Sequence, residues 1–232
     1  MRDYNETISL LPLFAGIEPA ELDGMLTCLN SCVRQYKKDQ YILLNDEPVV
    51  NIGIVVRGYV ETIREDLWGS RTPVAELRSG EIFGERYEVT RTPSSNIYFR
   101  AMTDSVILLM PFERAVHLCS MACVAHYKLV ENLTSMISEK NRRLQEKIEV
   151  VSQKTLRGKI LTYLSLTAQK KGSSEIEIPM NRTELAEYLC ADRSALTREL
   201  SHMRRDKLLE YDKNTFILLD GQTFESQGRA AV

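Results

Sequence analysis

The sequence predicts an α+β fold in three consecutive parts: an N-terminal antiparallel β-barrel or sandwich, one long helix, and a small C-terminal domain of short helices and a hairpin. Three observations carry this reading. Short β-branched runs separated by turn residues occupy much of residues 33–110. Neither Gly nor Pro occurs between Pro111 and Gly158, while apolar residues return there every seven positions. Beyond that stretch, capping residues and amphipathic runs alternate at short intervals. The chain has 232 residues, 44% hydrophobic and 27% charged, which is enough to bury a core and excludes disordered, collagen-like and disulfide-scaffold classes. At roughly 150 residues per domain that length holds one to two domains.

The first helix begins at Glu18-Pro19, where Pro and acidic residues suit the free N–H groups of a first turn. Seven strands follow: Val33–Tyr36, Gln40–Leu44, Ile52–Val56, Tyr59–Arg64, Arg71–Leu77, Ile97–Ala101 and Ser105–Met110. Asn-Asp-Glu-Pro, Arg-Gly, Asp-Leu-Trp-Gly-Ser and Ser-Gly stretches punctuate them, and short strands at such spacing make an antiparallel barrel or sandwich over residues 1–110.

Residues 111–151 read as one helix. Cys123, Val130, Ile137, Leu144 and Val151 form a heptad stripe, with Leu129, Leu133, Met136 and Ile148 beside it. A small barrel cannot bury a stripe of that length, so the helix is expected to pair with a copy of itself in a homodimer. Lys140 and Lys147 flank this seam and weaken it toward its end.

Residues 152–232 form the third part. Leu156–Gln169 is amphipathic, Gly172-Ser-Ser is a turn and Glu175–Pro179 alternates as a short strand. Asn181 or Thr183 caps a helix running to Cys190, with Glu184 in its first turn, and Asp192 caps a second helix, Arg193–Asp206. Leu208–Asp220, interrupted by Asp212-Lys213-Asn214, reads as a hairpin whose Asn takes a positive φ. Two short helices and a tight turn, flanked by a strand and a hairpin, make a winged helix-turn-helix. Leu185, Ala186, Leu189, Leu196 and Leu200 pack the helices together, leaving Arg193, Ser194, Thr197 and Arg198 outward.

That outward face suits the major groove of double-stranded DNA, where Arg grips guanine O6 and N7 with two hydrogen bonds. Arg198 and Arg193 are the base-reading candidates. Arg182, Thr183, His202, Arg204, Arg205 and Lys207 are placed as phosphate contacts. The formal charge of −2, taken globally, argues against nucleic acid, but its distribution does not. Residues 1–138 hold 13 basic and 18 acidic side chains, a net −5, whereas residues 152–232 hold 13 and 11, a net +2.

The chain resembles the Crp–Fnr superfamily of bacterial transcription regulators along nearly its whole length. The resemblance rests on Pro12-Leu-Phe-Ala-Gly-Ile-Glu-Pro-Ala-Glu-Leu, Val56-Arg-Gly-Tyr-Val, Ser79-Gly-Glu-Ile-Phe-Gly-Glu85 and Arg193-Ser-Ala-Leu-Thr-Arg-Glu-Leu, in that order and spacing. It implies an N-terminal antiparallel β-roll of the double-stranded β-helix or jelly-roll type that senses a signal and is like that of cyclic-nucleotide-binding domains, a long dimerisation helix, and a winged helix-turn-helix on a palindromic promoter site, with RNA polymerase as a further partner. Gly84 and Glu85 match the start of that family's phosphate-binding cassette. Where the cassette carries its arginine this chain reads Pro93-Ser94-Ser95, and Arg91 falls on another face. Two hydroxyls do not replace a bidentate guanidinium, so the effector pocket around Gly84, Glu85, Ser94 and Ser95 is expected to take a small molecule other than cyclic AMP, or none. Many relatives carry an acid at the position of Ser194, so the half-site should differ from theirs.

Cys28 with Cys32 and Cys119 with Cys123 could be imagined as ligands of an iron–sulfur cluster, and a redox or ligand-sensing module with secondary DNA contact is the alternative reading. The cluster-binding relatives draw most ligands from an N-terminal extension, however, so these thiols are expected to be buried and structural. No cofactor is assigned, neither iron–sulfur nor haem at His117 or His126, and no metal. No catalytic constellation, phosphate loop or nucleophile elbow appears, so the chain is not read as an enzyme. Apolar runs such as Val106–Phe112 are too short for a membrane span, and the unpaired cysteines with no signal sequence predict a cytoplasmic protein.

Overall fold

A computed structural model of the chain describes residues 4–43, 51–84, 97–117 and 123–219. These form two compact units, divided between Ser138 and Glu139.

The first unit opens with α1 (Asn5–Ser9), a 3-10 turn at Pro12–Phe14 and α2 (Pro19–Cys28), with Pro19 in the first turn of α2 as its sequence implied. Eight strands follow: β1 (Cys32–Tyr36), β2 (Tyr41–Leu43), β3 (Asn51–Arg57), β4 (Tyr59–Glu65), β5 (Arg71–Arg78), β6 (Ile82–Phe83), β7 (Ile97–Ala101) and β8 (Ser105–Pro111). They pair antiparallel in two four-stranded sheets, ordered β1-β8-β3-β6 and β2-β7-β4-β5. The two-residue β6 is too short to be read from periodicity.

Strands β3 and β8 are apolar without alternation because both of their faces are covered. Ile52, Ile54 and Val56, with Val106, Leu108 and Met110, pack under Leu13, Phe14, Leu22 and Leu26 of the helical layer. Val55 and Ile107 face the other way, into the roll, with Val60, Leu77, Phe83, Ile97 and Phe99. The rings of Phe83 and Phe99 lie 4.6 Å apart there, and Phe83 sits directly over Gly53, so a side chain at that glycine would strike the ring. Pro73, which has no N–H to donate, lies in the edge strand β5 near a register shift in its pairing with β4.

The chain after β8 departs from the expected single helix. It makes α3 (Phe112–Val116), leaves helical geometry at His117 (ψ 123°), and resumes as α4 (Val124–Val151). The Ala115 carbonyl comes within 3.4 Å of Nε2 of His126, whereas a continuous helix would separate residues eleven apart by roughly 16 Å. No Gly or Pro marks this break, and Ala115 just before it is buried in the roll core. In the first unit α4 buries Ala125, Leu129 and Leu133, and Asn132 donates to the carbonyls of Leu13 (2.9 Å) and Ala15 (2.8 Å). Leu129 and Leu133 therefore serve their own chain's core.

The second unit holds the rest of α4, then α5 (Leu156–Lys171), β9 (Glu175–Glu177), α6 (Arg182–Tyr188), α7 (Arg193–Arg205), β10 (Leu209–Asp212) and β11 (Thr215–Leu218). The hydroxyl of Thr155 caps α5 by accepting from Gly158, and Gly172, left-handed at φ 66°, ends it. Val150, Ile160, Leu164, Ile176, Leu185, Leu189, Leu196, Leu200, Met203 and Phe216 make one core, closed by the antiparallel sheet β10-β11-β9.

Candidate nucleic-acid interface

Helix α6 starts where its cap dictates. Oδ1 of Asn181 accepts from the backbone N–H of Thr183 (2.9 Å) and Glu184 (3.1 Å), and Glu184 accepts in return from the N–H of Asn181 (2.7 Å). Asn181, not Thr183, is the cap, and Thr183 lies exposed in the first turn. Leu185 and Ala186 are buried against α7, and the turn between the helices passes through Cys190 at φ 50°. A non-glycine residue in that region costs about 1 kcal/mol or more. The surrounding contacts hold it there: Lys159 donates to the carbonyl of Leu189 (3.1 Å), and Lys147 donates to that of Tyr188 with its ammonium 3.7 Å from the Tyr188 ring centroid. Burial holds the Lys147 ammonium below the usual lysine range. Lys147 is thus engaged by its own chain rather than standing on the flank of a seam.

Helix α7 buries Leu196, Leu200 and Met203 and exposes Arg193, Ser194, Thr197, Arg198, Ser201, His202 and Arg205. Asp192 occupies the cap position, but its side chain makes no capping bond. Two of the acids near α7 are tied up by α5, where Arg157 pairs with Glu199 (2.6 Å) and Asp206 (2.8 Å), while Asp192 stays exposed beside Arg193. Arg193 and Arg198 have no ion pair among the described residues. The Thr197 hydroxyl donates to the Arg193 carbonyl (2.9 Å), which leaves its lone pairs free to accept from a base amino group.

The cations placed around this face divide in two. Arg205, Lys207 and His202 are exposed. Arg204 instead pairs with Glu210 (2.8 Å) and lies over the Tyr211 ring. Arg182, expected as a phosphate contact, turns its guanidinium to the hairpin, with Nη2 donating to the Lys213 carbonyl at 2.6 Å. The hairpin turn also differs from expectation, because Lys213 and not Asn214 takes the positive φ, 49°. The Asn214 carbonyl is held by the N–H of Ile178 (3.0 Å). Lys213, which the sequence offered only as a turn residue, puts an exposed cation at the hairpin tip.

Along α4 the seam candidates Val130 and Val151 are half-buried, Ile137 and Leu144 are exposed, and Cys123 is half-buried just ahead of the helix. Arg142 and Arg143 hold the Glu139 carboxyl down to about 2. Of the effector-pocket candidates, Gly84 is buried after β6 with φ 88°, while Glu85, Ser94 and Ser95, like Arg91, lie outside the described residues.

The thiols contradict the expectation of burial. Cys28, Cys32 and Cys190 are exposed and Cys123 is half-buried; Cys119 lies outside the described residues. Cys28 falls on the outer side of α2, whose core face takes Leu22, Met25 and Leu26, and Cys32 starts the edge strand β1. His126 is buried, and Nδ1 of His117 lies 2.8 Å from the Glu113 carbonyl of its own turn. Among the described residues no three His, Cys, Asp or Glu side chains converge on a metal position, and no helix is long and apolar enough to cross a membrane.

An antiparallel roll followed by a long helix and a winged helix-turn-helix with a basic, unpaired outer face defines a sensor-and-reader protein. Residues 33–121 match the family model of the cyclic nucleotide-binding domain, and residues 158–226 match that of the Crp-like helix-turn-helix domain. The chain belongs to the Crp–Fnr superfamily of transcription regulators. It is 20% identical over 200 residues to the global nitrogen regulator of Synechococcus elongatus, covering 84% of this chain and 89% of that one. Its fold is shared by a CooA variant from Carboxydothermus hydrogenoformans (TM-score 0.53, 18% identity, 88% of this chain and 89% of that one). The c-di-GMP responsive global regulator CLP of Xanthomonas campestris shares it as well (TM-score 0.52, 17% identity, 88% and 100%).

Proposed function

We propose that the protein acts as a homodimer that binds a palindromic promoter site through α7 and responds to a signal received in the roll, other than cyclic AMP. The observation that carries this reading is the outer face of α7. Arg193, Ser194, Thr197 and Arg198 stand exposed on it while Arg157 pairs with Glu199 and Asp206. In this reading Arg198 and Arg193 read base edges, and Thr183, His202, Arg205 and Lys207 touch phosphates. Two-fold pairing along α4 sets the two copies of α7 about one DNA turn apart, which explains a palindromic site. A signal in the roll shifts the population between pairings of α4 and so changes that spacing. RNA polymerase is the further partner, and the protein works in the cytoplasm without metal, haem or iron–sulfur cluster.

The test compares a palindromic duplex recovered by in vitro selection with a duplex of arbitrary sequence. Arg198→Ala should weaken binding to the selected duplex by about 1–3 kcal/mol, or roughly 5- to 150-fold, and to the arbitrary one far less. Equal weakening on both would remove the base-reading role.

A further inference from the structure

Arg182 opens α6 with its guanidinium facing the wing. Its Cζ lies 4.8 Å from the ring centroid of Phe216 and 5.1 Å from that of Tyr211, and Nη2 donates to the Lys213 carbonyl at 2.6 Å. Nη1 is shut off from solvent and has no hydrogen-bond partner among the described residues. Burial holds the guanidinium below the usual arginine range. The fork that would grip a phosphate is therefore already taken up by one carbonyl and two ring faces.

The clamp ends on the residue at the tip. Lys213 sits in the left-handed region at φ 49°, with its carbonyl held by Arg182, while its ammonium is exposed and has no ion pair among the described residues. From the other side Arg204 pairs with Glu210 and lies 5.7 Å from the Tyr211 ring centroid, so the strand leading into the turn is held as well. We propose that Arg182 is a positioning residue for DNA binding: it clamps the wing turn so that Lys213 meets the DNA backbone. This rests on the DNA-binding reading above.

The full-length protein is titrated onto a fluorescein-labelled duplex of arbitrary sequence over a salt series, since phosphate binding does not depend on the selected site. Lys213→Met should lower the slope of log affinity against log salt by about 0.9 for each phosphate that it no longer neutralises. Arg182→Met should lower it by no more than that, and the double variant should match Lys213→Met. Arg182→Lys keeps the charge but gives up the planar stack, so it should behave as Arg182→Met does. It also carries the test if Arg182→Met fails to fold, which thermal unfolding reports. A double variant with twice the decrease, or full slope and affinity in Arg182→Lys, would make Arg182 itself the phosphate ligand and overturn the clamp. Undiminished binding by Lys213→Met would overturn it too. If the unaltered protein bound no DNA even at low salt, the DNA-binding reading would fall first and take the clamp with it.

Discussion

Asn181 shows how much a single side chain can settle. Its amide oxygen satisfies two N–H groups of the first turn of α6, and Glu184 closes the reciprocal bond, so the helix cannot start elsewhere without stranding those donors. Asn181→Ala should lower stability by about 1 kcal/mol, read as a lower urea midpoint at unchanged m-value. The sequence narrowed this cap to Asn181 or Thr183, because capping residues lie within one turn of each other, and the structure selects Asn181. The direction of Arg182 was not legible: a guanidinium at a helix start can face phosphate or turn inward, and only the approach of Phe216 and Tyr211 from the hairpin decides between them. Cys190 has the same character, since its left-handed backbone is held by lysines from two other helices.

At the scale of the element, α4 carries two stripes with different uses. Ala125, Leu129 and Leu133 are buried in the first unit. Val130, Ile137, Leu144 and Val151 alternate at three- and four-residue steps with Tyr127, Thr134, Asn141 and Ile148, the spacing of a coiled-coil seam. Leu144 is 58% exposed and Ile148 61%, and at four residues apart they form one apolar patch on the helix surface. Introducing Leu144→Lys or Ile148→Lys should convert the protein to monomers in sedimentation equilibrium, with the folded content of the monomer retained because neither residue belongs to its own chain's core. The heptad points to the second stripe as a seam, but it also drew Leu129 and Leu133 toward it, and these are buried in their own chain's core. Periodicity locates apolar stripes without saying whether the same chain or another covers each.

At the scale of the whole molecule, charge is segregated: −5 over residues 1–138 and +2 over residues 152–232, within a total of −2. Nonspecific DNA affinity should accordingly be weak and fall steeply with salt. The roll shares its family's architecture but carries Pro93-Ser94-Ser95 where the phosphate-gripping arginine would stand. Cyclic AMP and cyclic GMP should therefore leave the melting temperature of the full-length protein unchanged, whereas a ligand at a hundred times its Kd would stabilise it by about 2.7 kcal/mol. A large rise with either nucleotide would show that Ser94 and Ser95 suffice.

The sequence by itself determined the order of the parts, the strands of the roll other than β6, the start of α6 at Asn181 or Thr183 and the polar outer face of α7. Each of these rests on patterns local to the chain: alternation, helical period, and capping residues within one turn. Tertiary structure alone decided the break between α3 and α4, the exposure of Cys28 and Cys32, and the engagement of Arg182, Arg204 and Lys147. Arg204 is engaged by the strand that follows its own helix; in the other cases burial or a cation's choice of partner depends on which surfaces the fold brings together.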